Sequence, residues 1–319
     1  MKNNLKSLSH QLTDQINAQR GGGGKWPSHF DYTVDLENRR ITLDARKKIN
    51  KSGYRCLDSW GMALFHYVCN DQHQEIREIR FCINKNGSAR EPNTEAFKRR
   101  VSFLSINNEE IDFRVIHNHR QIGLYSRKEL FERPANEKIH TVLNKRGDDD
   151  RGERIEKDFQ TFLFGKGLKT RTNDRLAILG EHFFLLKKKK YGVLREFPTG
   201  VFLDSVSKLN MIMPTEFVDI VTLNRRGYLS VIELKLDDVK LEVMSQLLDY
   251  ALYFACYRKE ILKLLGKYSE IRPKRKMIMC YVVNNRFHPR FDDVFRYYST
   301  KNKSYSFRIF KVVLGDTCE

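Results

Sequence analysis

No apolar run in this sequence approaches the roughly 20 residues needed to cross a bilayer. The opening MKNNLKSLSHQLTDQ also lacks the apolar core that a secretory signal carries. Together these absences predict a cytoplasmic protein with no membrane partner. A disulfide or zinc framework is missing too: Cys56, Cys69, Cys82, Cys256, Cys280 and Cys318 form no CxxC pair, and most sit in apolar surroundings such as FHYVC and IMCYVV. That usage predicts reduced core thiols. No repeat at a solenoid period occurs. The glycine run 20-RGGGGKWP-27 does not continue into the GK[ST] of a phosphate-binding loop, so it is expected to be a linker or mobile loop.

Acidic residues are outnumbered as well, 40 against 58 lysines and arginines, which leaves a formal net charge of +18. Such a surface attracts polyanions in a salt-dependent way, and nucleic acid is the first partner to consider. With 40% hydrophobic and 12% aromatic residues, the 319-residue chain has enough apolar material for two folded domains.

In the first half, YTVDLENRRITLDA reads as a hairpin, LDSWGMALFHYVC as an amphipathic helix or buried strand, and EIREIRFCINK and EEIDFRVIHNHR as half-exposed strands. A small α+β domain over residues 1–145 is expected. His117 and His119 would share a strand face and could in principle hold a metal, but no third ligand lies nearby in the sequence. The string His117-Asn118-His119 resembles the name of a nuclease class by coincidence only, since that class takes its residues from separated positions.

The charged stretch TVLNKRGDDDRGER, residues 141–154, is the expected domain boundary. Beyond it, residues 146–319 read as a mixed α/β domain with helices packed on a central sheet. A helix from about Gly152 carries Ile155, Phe159, Phe162 and Leu163, strand segments span 176–200, and NRRG joins FVDIVTL to LSVIELKL as a hairpin. A helix over 241–257 and a buried strand at MIMCYVV follow.

The hairpin carries charges where apolar residues are expected. Side chains alternate along a strand, so Glu233 and Lys235 share one face and Ile232, Leu234 and Leu236 the other. Asp219 on the preceding strand lies within cross-strand reach of Glu233. Two neighbouring carboxylates repel unless a proton or a cation sits between them. A hard divalent ion, Mg2+ or Mn2+, suits Asp219 and Glu233 with the Leu234 carbonyl, and Lys235 is then placed to assist a water and to stabilise charge on a phosphate. That set of groups fits phosphodiester hydrolysis.

Asp219 followed by Glu233-Leu234-Lys235 resembles the D…ExK signature of the PD-(D/E)XK nuclease superfamily. The resemblance covers about residues 150–290 and implies a restriction-endonuclease-like core. It extends to Glu156 on the first core helix, with Glu153 as the competing carboxylate, and to Gln246 and Tyr250, which lie at i and i+4 and match a Q-x3-Y motif. The residue before Asp219 is Val218 where the family name has proline. The resemblance implies that Glu156, Asp219, Glu233, Lys235, Gln246 and Tyr250 form the catalytic site, with Glu156 also near the metal. Glu156, Gln160 and Leu163, together with a separate N-terminal domain, look like the Shedu group of anti-phage nucleases. That likeness implies a homo-oligomer that cuts DNA, its N-terminal domain regulating or sensing.

Lys187, Lys188, Lys189 and Lys190, and Arg272, Lys274, Arg275 and Lys276, are candidate phosphate contacts. REFPTGVF, Arg195 to Phe202, reads as a proline turn between strands before it reads as a substrate loop. Two alternatives stay open: a catalytically silent nucleic-acid-binding protein that keeps the nuclease fold, and an RNA-directed or transposition-associated nuclease.

Overall fold

The hairpin expected from YTVDLENRRITLDA is present, as strands β1 (Phe30–Asp35) and β2 (Arg40–Ala45) paired antiparallel from Phe30↔Ala45 to Asp35↔Arg40. The computed structural model containing it describes residues 26–27, 30–45, 51–83, 91–133, 136–139, 158–160, 193–224, 226–236, 238–266, 273, 277–300, 303 and 305–315.

After β2 the chain alternates helix and strand: α1 (Lys51–His66), β3 (Glu78–Ile83), α2 (Pro92–Asn107) and β4 (Asp112–His117). The β2, β3 and β4 strands run parallel, as helical crossovers require. Their alternate residues, Ile41 and Leu43, Ile79 and Phe81, Phe113 and Val115, are buried, while Arg80 and Arg114 stand on the half-exposed face. Gly61 of α1 allows a close approach to this sheet: a Cβ there would lie 2.8 Å from the Phe81 ring.

Pro92 begins α2, where its missing N–H is not needed. A capping box of Ser126 and Glu129 opens the short α3 (Arg127–Phe131). The sheet closes with β5 (Arg120–Ile122), antiparallel to β4. Asn118 and His119 form the two-residue turn, both with positive φ (49° and 63°), which is type I′ geometry. His119 is therefore a turn residue and does not share a strand face with His117, which corrects the expected histidine pair.

A second sheet has the order β13 (Phe307–Val313), β12 (Ile278–Asn284), β11 (Leu229–Leu234), β10 (Phe217–Leu223), β7 (Val193–Pro198). Its first two pairings are parallel and the last two antiparallel. One face packs Ile220, Ile232, Leu234, Leu236, Tyr281, Val283 and Leu314 against Phe159. A small antiparallel sheet comprises β6 (Glu137–Ile139), β8 (Val201–Leu203) and β9 (Met211–Met213). Only Thr199 and Gly200 separate β7 from β8, so REFPTGVF is mainly strand with a short turn. The helices are completed by α4 (Glu242–Gly266) and α5 (Phe291–Tyr298). The expected helix end at Tyr257 is a kink in α4, with φ −105° and ψ 16°.

The chain is thus mixed α/β, with mixed sheets flanked by helices. It divides into two compact units, one from residues 1–133, 238–249 and 287–298 and the other from 134–237, 250–286 and 299–319. The expected boundary stretch, 141–154, lies outside the described residues. The five described cysteines are thiols and form no disulfide; Cys56 and Cys280 are buried and the other three half-buried.

Candidate active site on the central hairpin

The candidate site sits on β10 and β11, joined by a turn that the sequence builds from Asn224 and Gly227. The Asn224 side-chain oxygen accepts the main-chain N–H groups of Arg226 and Tyr228, at 3.0 and 3.1 Å. Gly227 supplies the positive φ, 77°. From Leu223↔Leu229 the ladder runs to Ile220↔Ile232, and its next step would set Asp219 opposite Glu233.

At that step the strands part. The carboxylate of Asp219 accepts the main-chain N–H of Leu234 at 2.7 Å through Oδ2 and the Gln160 side-chain amide at 2.6 Å through Oδ1. The main-chain N–H of Lys235 donates to Val283 O at 2.8 Å, so β11 keeps its parallel partner while its antiparallel one turns away. On the other flank of β10, the register with β7 passes from Val218↔Phe197 to Ile220↔Arg195. Glu196, the residue across from Asp219, has φ 46°.

Glu233 and Lys235 lie on one face as alternation predicts, and they form an ion pair of 3.0 Å with side-chain exposures of 2% and 18%. Leu234 points the other way, into the core with Ile220 and Ile232. Tyr250 is fully buried, and its hydroxyl donates to Phe217 O at 3.0 Å, holding the start of β10 two residues before Asp219. This gives Tyr250 a strand-anchoring role. Gln246 is half-buried one turn earlier on α4, in the stretch 238–249 that belongs to the other unit.

The structure thus gathers Asp219, Glu233, Leu234 and Lys235 at one end of the hairpin, and it brings to them Gln160, part of the Glu156, Gln160 and Leu163 helix pattern, and Arg195, the first residue of the REFPTGVF segment. Gln160, buried at 6%, touches Asp219, and the exposed Arg195 donates from Nη2 to the Gln160 oxygen at 3.4 Å. The sequence signals were the place of Gln160 in the helix pattern and of Arg195 at the head of REFPTGVF, and neither fixed a contact with Asp219. Glu153, Glu156, Leu163, Lys187 to Lys190, Arg272 and Lys274 to Lys276 lie outside the described residues.

Among the described residues no group of three or more His, Cys, Asp or Glu side chains is arranged to hold a metal ion. Asp219 and Glu233 are a two-carboxylate set of hard oxygen donors, each oxygen with two lone pairs. That chemistry fits Mg2+ or Mn2+ with further ligands from main chain and solvent. No protein-family model matches this chain, and no curated protein and no solved structure matches it.

Proposed function

We propose that this protein is a divalent-metal-dependent deoxyribonuclease with a restriction-endonuclease-like core. The observation that carries the reading is the opening of the hairpin ladder at Asp219, beside a buried Glu233 paired with Lys235. Aligned sheet chemistry does not call for three ionisable side chains there, and hydrolysis of a phosphodiester does.

Asp219 and Glu233 are the residues that would hold Mg2+ or Mn2+, with the Leu234 carbonyl, and Glu156 is the proposed further carboxylate. When bound, such an ion supplies Lewis acidity toward a phosphate oxygen and makes a water more acidic. Lys235 contributes a positive charge toward the reacting phosphate and hydrogen bonds that orient the attacking water. Glu233 keeps the ammonium in place through their 3.0 Å pair. Tyr250 fixes the β10 backbone on which Asp219 is mounted. The net charge of +18 supports DNA as the polyanion. The resemblance to anti-phage nucleases adds a defence role and a homo-oligomer to the proposal.

Purified protein incubated with plasmid, linear duplex and single-stranded DNA in Mg2+ or Mn2+ should cut at least one of them, and Lys235→Ala should cut none. A wild type inert on every substrate that also binds no metal would sink the reading.

One observation favours a second reading. Both Asp219 oxygens already accept protein donors, and Glu233 already has a cation, which suits a DNA-binding protein that keeps these carboxylates for structure. Calorimetric titration with Mn2+ separates the two: heat that disappears in Asp219→Ala supports the nuclease, and no heat in the wild type supports the binding module.

A further inference from the structure

Arg195 stands in the middle of β7, opposite Ile220. Ile220 lies in the core cluster against which Phe159 packs, so Arg195 and the helical segment 158–160 meet on one face of the sheet. In a regular strand Phe197 would share that face, since side chains two apart point the same way. The Phe197 ring is buried against Phe254 and Tyr253 of α4, with centroids 5.7 and 6.5 Å apart. The residue between them, Glu196, takes φ 46°, a conformation unfavourable for a residue with a Cβ. On either side of it, Phe197 is buried and Arg195 is exposed beside Gln160.

Gln160 links Arg195 to the candidate site. Its amide group donates to Asp219 at 2.6 Å and its oxygen accepts from Arg195 at 3.4 Å. Two hydrogen bonds through one carboxamide keep the guanidinium within about 8 Å of the Asp219 carboxylate. A long side chain mounted at that range reaches the reacting phosphate or the next one along the strand. A guanidinium is charged at any working pH and presents a planar fork of N–H donors that matches phosphate oxygens.

We propose that Arg195 is a substrate contact: it donates to a non-bridging oxygen of the DNA backbone at the scissile phosphate or the adjacent one, and Gln160 sets its distance from Asp219. The inference rests on the nuclease reading and assigns that site its phosphate anchor. It also gives the REFPTGVF segment a substrate role, through the strand residue Arg195 and not through the turn that follows.

The test measures affinity for a short labelled duplex and the matching single strand by fluorescence anisotropy, between about 50 and 200 mM salt, on full-length wild type, Arg195→Ala and Arg195→Lys. For Arg195→Ala the affinity should fall roughly 10- to 100-fold at fixed salt, as expected for one charge-assisted hydrogen bond. The slope of log affinity against log salt should become shallower by about 0.9 on duplex or 0.7 on single strand. Arg195→Lys should keep the wild-type slope. A slope and affinity unchanged in Arg195→Ala, with only the cleavage rate reduced, would overturn the proposal and leave Arg195 a support for Gln160. Binding with an Arg195-dependent slope but no cleavage under Mg2+ or Mn2+ would uphold the contact while removing the catalytic reading. No binding to either DNA would overturn both.

Discussion

Replacing Lys235 with methionine separates the structural work of the Glu233–Lys235 pair from its proposed chemistry. The ammonium lies 3.0 Å from a carboxylate that is 2% exposed, in the central strand of a five-stranded sheet. Methionine keeps most of the side-chain length and removes the charge, which takes the Lys235 cation away from the buried Glu233 carboxylate. Breaking a buried pair from one side costs about 3–5 kcal/mol, and the 18% exposure of Lys235 places this case near the lower end, about 3 kcal/mol. At roughly 2–4 °C per kcal/mol for a unit of this size, the melting temperature should drop by about 6–12 °C. The double variant Glu233→Gln/Lys235→Met, neutral at both positions, should regain most of that loss. Mg2+ supplies the third measurement. At about ten times its dissociation constant it should return about 1.4 kcal/mol to Lys235→Met, and less to the double variant, which has lost a ligand. Thermal melts in EDTA and in Mg2+ read all three. A single variant melting within about 2 °C of wild type would refute a buried, stability-bearing pair. A destabilised variant that gains nothing from Mg2+, beside a wild type that gains nothing, would refute Asp219 and Glu233 as a cation site.

Arg100 of α2 is buried between Asp58 of α1 (3.0 Å) and Asp249 of α4 (2.9 Å). Burial opposes its charge, and the attraction of Asp249 and Asp58 outweighs that, so its pKa is raised. Burial dominates at Asp249 and pushes that carboxyl up against the pull of Arg100. Arg100→Met should therefore cost about 3–5 kcal/mol in a urea melt, with Asp249→Asn on that background recovering part, and a loss under about 1 kcal/mol would refute the argument. His66 is held below its usual 6.5, chiefly by burial and against the pull of Asp293 at 3.3 Å. Between its folded pKa and 6.5 the unfolded chain binds more protons than the folded one, so stability present above 6.5 is lost as pH falls through that window. Urea melts from about pH 7.5 to 5 should show the loss and His66→Gln should flatten it; equal slopes in both would count against the assignment.

Elements set by local pattern were legible in the sequence. Alternation in LSVIELKL places Glu233 and Lys235 on one face because a strand has period two, and the 3.0 Å ion pair agrees. NRRG marks the turn because Asn224 and Gly227 each do something there that few residues can. Contacts that depend on distant chain were not legible. Gln160 reaches Asp219 across 59 residues, and Arg100 reaches Asp249 across 149, separations that no window of the sequence spans. The second contact helps explain why 238–249 joins the N-terminal unit, where a linear reading would keep it with the hairpin before it. Tyr250 looked like a cleft residue from its spacing to Gln246, yet a phenol on a fully buried helix position needs a partner, and Phe217 O supplies it. The period of ILKLLG continues helically beyond Tyr257, and the kink there marks a change of direction within α4 where a stop was expected.

The sheet interruptions meet at Asp219. Lys235 sends its main-chain N–H toward β12, so by alternation Leu234 sends its own toward β10, where a continued ladder would offer a main-chain carbonyl. The Asp219 side chain takes that N–H instead, and a carboxylate reaching across in place of the backbone holds the two strands apart. On the opposite flank, Glu196 leaves the β region at the position facing Asp219. An apolar residue at 219 would satisfy neither the Leu234 N–H nor the Gln160 amide, both of which would then be left facing a partly dry site. The same opening keeps Asp219 half-buried beside Glu233 and Lys235. Strain and ladder breaks of this kind persist in folded proteins where geometry serves a site, because packing alone would select the regular strand.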